Sequence, residues 1–75
     1  MISLEKAIKT AEQSRESEVV GIVDCGDRWA FAFKADVGCL GSCPVFVYKD
    51  DGRAEYFSIS DHVELLKSGT RVDLP

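Results

Sequence analysis

Between Leu4 and Ala11 the apolar residues Leu4, Ala7, Ile8 and Ala11 fall at i, i+3, i+4 and i+7, one stripe of an α-helix. Ser3 stands where an N-cap hydroxyl meets the free backbone donors of a first turn. The stripe is narrow and rich in alanine, so it predicts a helix lying close against a flat surface, with Lys6, Lys9, Glu12 and Gln13 facing solvent. Ser14 to Glu18 break the period. Val19, Val20, Ile22 and Val23 then begin a β-branched run that predicts a strand. Cys25 to Arg28, centred on Gly26 and Asp27, reads as a tight turn. From Trp29 to Lys34 the period becomes two, and Trp29, Phe31 and Phe33 share one strand face.

Ala35 to Cys43 holds two glycines and little periodicity, and reads as a loop. Pro44 opens a third strand, Val45 to Lys49, because proline is tolerated at a strand's first residue. Asp50, Asp51, Gly52 and Arg53 form the clearest turn signal in the chain, leading into a fourth strand from Ala54 to Ser58. Asp61 with Glu64 resembles a capping box, which predicts a short helix from His62 to Lys67 ending at Gly69 in the left-handed position past a helix. Thr70 to Pro75 alternates weakly and leaves two outcomes open, an edge strand or a frayed end. The expected fold is a single α+β domain over residues 1–75, with the N-terminal helix packed on an antiparallel sheet of about four strands in two hairpins and a short C-terminal helix.

Composition narrows the function. Seventy-five residues support one core, and 45% hydrophobic residues with a net charge of −4 describe a folding chain. No apolar run reaches the roughly 20 residues of a membrane span, and Glu5, Lys6 and Lys9 interrupt the place of a signal peptide's apolar core. A cytoplasmic protein is expected. The acidic balance disfavours nucleic acid and anionic lipid as partners and favours proteins, basic ones among them. Oligomeric state is open between monomer and homodimer.

Three cysteines, Cys25, Cys39 and Cys43, cannot all pair in one chain, so free thiols in a reducing compartment are expected. With His62 they supply the residue types of a Cys3His zinc site, but Cys39 and Cys43 are four apart rather than three. A cysteine nucleophile needs a base and an orienting third group, and only His62 is a candidate base. Asp50 and Asp51 lack the alternate oxygen ligands of a calcium loop. Glycine-rich phosphate loops, nucleophile elbows and two-histidine motifs are absent from the sequence, so neither a cofactor nor a catalytic set is expected, and the chain reads as a binder rather than an enzyme. Trp29, Phe31 and Phe33 are read as core against the first helix rather than as base-stacking rings, since basic residues do not surround them.

The opening Met1-Ile2-Ser3, the run Trp29-Ala30-Phe31-Ala32-Phe33 and the stretch from Gly41 through Cys43-Pro44-Val45-Phe46-Val47-Tyr48-Lys49 to Arg53 resemble the immunity protein 35 family of bacterial polymorphic-toxin systems. The chain departs from that pattern in a shorter first helix and in the cysteine before Pro44. The resemblance implies a small intracellular protein that neutralises a toxin by direct binding, with no catalytic residues. On that reading Leu40, Phe46, Tyr48 and Tyr56 are candidate partner-binding anchors, because aromatic residues dominate interface hot spots. Two other classes compete: a phage or host regulatory inhibitor acting as an acidic mimic, and a small cysteine or zinc enzyme.

Overall fold

A computed structural model describes residues 1–36 and 44–74. Its elements are α1 (Leu4–Arg15), β1 (Val19–Asp24), β2 (Arg28–Phe33), β3 (Val45–Tyr48), β4 (Ala54–Tyr56), α2 (Val63–Ser68) and β5 (Thr70–Val72), with 3₁₀ turns at Lys34–Asp36 and Ile59–His62. The strands form one antiparallel sheet in the order β4-β3-β2-β1-β5. This is the expected α+β architecture with a fifth strand: Thr70, Arg71 and Val72 pair with Asp24, Val23 and Ile22.

The register sorts the sheet's side chains onto two faces. Ile22 opposes Phe31, Phe31 opposes Val45 and Trp29 opposes Val47, and all of these point toward α1. Ala7 and Ala11, both fully buried, let the helix backbone come down onto these rings. The expected stripe and its aromatic partners therefore meet. The helix runs further than its apolar stripe, to Arg15, because interactions beyond periodicity carry it. Ser3 Oγ accepts from the Lys6 amide at 3.2 Å, the Arg15 guanidinium lies 5.1 Å from the Phe33 ring centroid, and Glu16 closes the helix in the left-handed conformation at φ 51°. Two further ties fix its ends to the sheet: the Ile2 amide donates to Lys49 O at 2.8 Å, and the Tyr56 hydroxyl donates to Ser14 O at 2.8 Å.

Several boundaries differ from expectation for local reasons. The Asp-Gly turn spans Lys49 to Gly52, closed by the Tyr48 amide on Arg53 O at 2.9 Å, and Gly52 occupies it at φ +74°, a conformation that a side chain would strain. Strand β4 stops at Tyr56 instead of Ser58 because Phe57 leaves the strand to stack on Phe46, ring centroids 3.7 Å apart. The capping box is not formed. Asp61 sits inside the 3₁₀ turn, His62 holds the N-cap position without a side-chain cap, and α2 begins at Val63. Nor is Gly69 left-handed: its φ is −74°. Its lack of a side chain serves a close approach instead, for a Cβ there would stand 2.5 Å from Val23 Cγ1.

Candidate functional site

The second face of the sheet carries the residues that alternate with the helix-facing set. Arg28, Ala30 and Ala32 come from β2, Phe46 and Tyr48 from β3, Gly21 and Val23 from β1, Glu55 from β4 and Arg71 from β5. It is covered unevenly, in three tiers running across the strands.

At the turn end the cover is polar. Arg28 lies over the rings of Phe46 and Tyr48 at 5.1 and 4.6 Å, and Arg53 lies over Tyr48 at 4.4 Å. The Tyr48 hydroxyl accepts from Arg28 Nη1 at 3.0 Å and donates to Glu55 Oε2 at 3.3 Å. Tyr48 is thereby held by two guanidiniums at its ring and by hydrogen bonds at its tip.

In the middle tier Phe57 stacks on Phe46, and the His62 ring stands edge-on to both at 5.4 and 5.2 Å. His62 Nδ1 lies 3.0 Å from Ser58 O. Leu65 and Leu66 of α2 pack on this cluster, yet no residue of α2 is fully buried.

The third tier is open. A groove of about 360 Å³ runs down to the sheet, its floor made of Gly21, Ala30 and Ala32. Phe57, Ile59 and Leu66 form one wall and Pro44 one end. Ala32 is exposed although β2 is the central strand, which shows how far the cover falls short. Small residues make the trough because a sheet studded with Gly and Ala stands lower than its neighbours. Ile59 at the wall is 47% exposed, a large apolar side chain left in water. Arg71 is the one charged side chain among the described residues that line the groove. Among the described residues it makes no ion pair.

Of the four anchors expected from sequence, Phe46 and Tyr48 share the second face beneath Arg28, and Tyr56 lies on the other face. Leu40 lies outside the described residues. Phe46 is 1% exposed, so it builds the second cluster instead of offering a surface. Tyr48 is half-buried against two arginines, and Tyr56 is exposed but on the α1 side, latched to Ser14. Of the three cysteines, Cys39 and Cys43 lie outside the described residues, and Cys25 is half-buried with a free thiol. Burial pushes the Cys25 thiol above its ordinary pKa, the reverse of what activates a nucleophile. Among the described residues no cluster of three His, Cys, Asp or Glu side chains could hold a metal ion, and no helix is long and apolar enough to cross a membrane.

The groove escapes sequence reading because its floor is defined by what is missing. Its signal was nevertheless present: Ala30 and Ala32 alternate with Trp29, Phe31 and Phe33, so the strand with the largest residues on one face has the smallest on the other. No family model matches the chain, and neither a curated protein nor a solved structure matches it.

Proposed function

We propose that this protein is a small protein-binding inhibitor of the immunity type, which neutralises a toxin by direct contact and performs no chemistry itself. The observation that carries the reading is the open apolar groove on the second sheet face, floored by Gly21, Ala30 and Ala32 and walled in part by Ile59, a large apolar side chain left in water. An apolar concavity on a rigid sheet is what an interface core needs, since buried apolar contacts supply the stabilisation and a rigid floor limits the ordering cost. The net charge of −4 supports the same reading, because a surplus of acidic groups speeds encounter with a basic protein. The resemblance of the Trp29 to Phe33 and Gly41 to Arg53 segments to the immunity protein 35 family points the same way. In the cytoplasm such a protein meets its toxin before the toxin meets its target.

Co-expression with the product of the adjacent gene tests this function. Relief of that product's toxicity, together with a complex that co-purifies, is the expected result. Toxicity that persists with no complex formed sinks the proposal.

A further inference from the structure

Within that binding reading, we infer that the groove takes an apolar peptide segment of the partner that carries a carboxylate, with the carboxylate placed on Arg71. Three observations converge on this occupant. First, the groove's lining among the described residues is apolar except for Arg71, so the body of whatever fills it must also be apolar. Second, Arg71 belongs to β5 at the sheet's edge, directly across from Val23, which places the guanidinium beside the groove without sealing it. Third, the other two arginines of this face are occupied: Arg28 is bound to Asp27 at 2.9 Å and stacked on Phe46 and Tyr48, and Arg53 is stacked on Tyr48. Arg53 likewise makes no ion pair among the described residues, but it stands over Tyr48 and does not line the groove; Arg71 does, so Arg71 is the cation placed to meet an anion seated there.

The physics of the pairing is favourable. A guanidinium matches a carboxylate through two parallel N–H···O bonds, and water leaves that pair as apolar side chains fill the neighbouring trough. The chain's overall negative charge acts at long range and selects a basic partner. Arg71 acts at contact and selects which segment of that partner docks. These two preferences together form a recognition rule: a basic protein presenting an apolar segment with an embedded acidic residue.

A random peptide library displayed on phage and selected against the full-length chain tests the rule, with counter-selection on Ala32→Trp and Ile59→Asp. Both positions are exposed, and the thermal unfolding of each variant is compared with wild type to establish that only the groove has changed. Groove-dependent peptides are expected to combine apolar residues with Asp or Glu. Their affinity should fall about tenfold or more on Arg71→Gln and less on Arg71→Lys. Changing the peptide's acid to its amide should cost as much in wild type and little in Arg71→Gln, the signature of a direct pair. Groove-dependent peptides that lack an acid, or that ignore Arg71→Gln, overturn the inference and leave the inhibitor function standing. A library that yields no groove-dependent peptide also overturns it, while the co-expression experiment judges the function separately.

Discussion

The two faces of one sheet have been closed in different ways. The α1 face is sealed by a twelve-residue helix whose alanines allow close approach, capped at both ends and tied to Lys49 just past β3 and to β4 by backbone and tyrosine hydrogen bonds. Its rings, Phe31 and Phe33, are each 1% exposed. The opposite face is served by a six-residue helix with no fully buried residue and no side-chain cap, reaching only part of the way across. Six helical residues do not cover five strands, and among the described residues one tier remains open. On the proposed reading the sealed face carries the larger share of the stability and the open face carries the recognition.

The sharpest way to break this division is to truncate one ring on each side. Phe31→Ala removes a ring from the sealed core and should cost about 3–5 kcal/mol, enough to unfold much of a domain this small. Phe57→Ala, on the second face, should cost about 1–3 kcal/mol, chiefly by loosening α2. Urea unfolding of both variants measures the gap, and equal losses would erase the distinction between the faces.

Next in size is Gly69→Ala. The added methyl meets Val23 Cγ1 at 2.5 Å and Asp24 O at 3.0 Å, so overpacking should destabilise by about 1–3 kcal/mol and push β5 and the end of α2 from the sheet. A melting temperature unchanged from wild type would show that Gly69 has no such role.

A smaller effect belongs to the α1 side of the β1–β2 turn. The Lys49 ammonium, hydrogen-bonded at 2.8 Å, and then the Gly26 amide hold the Asp24 carboxyl below the usual carboxylate range. Because the folded-state value is the lower one, this pair stabilises the protein above the unfolded carboxylate value of about 3.9 and is lost as pH falls from there through the folded value. Asp24→Asn should therefore lower stability at neutral pH by about 1 kcal/mol or less, the pair being partly in water, and the difference from wild type should vanish in strong acid. Unfolding curves collected from neutral pH into acid check both limits.

The same division explains what the sequence made legible. The sealed face is periodic: the alanine stripe of α1 and the alternation of Trp29, Phe31 and Phe33 each reveal a partner by their spacing, and they do meet. Hairpins marked by Gly26 and Gly52 were equally readable from turn chemistry. The second face resisted because its elements depend on tertiary fit. Gly69 suggests a helix end by its identity, yet it is required by the nearness of Val23. Phe57 continues a strand by its pattern, yet it turns aside to reach Phe46. Phe46, Tyr48 and Tyr56 are plausible anchors by residue type, and only the register assigns them to a core, a contact with two arginines and the helix side. A groove built from Gly21, Ala30 and Ala32 becomes visible once three strands are laid side by side.

Recognition by the second face is tested most directly by titrating the isotopically labelled protein with the partner that co-expression identifies, and following backbone amide shifts by NMR. Recognition there requires that Gly21, Ala32, Leu66 and Arg71 move together while the outer face of α1 at Lys6, Lys9 and Gln13 stays still. Shifts gathered on α1, with the groove residues unmoved, would contradict it.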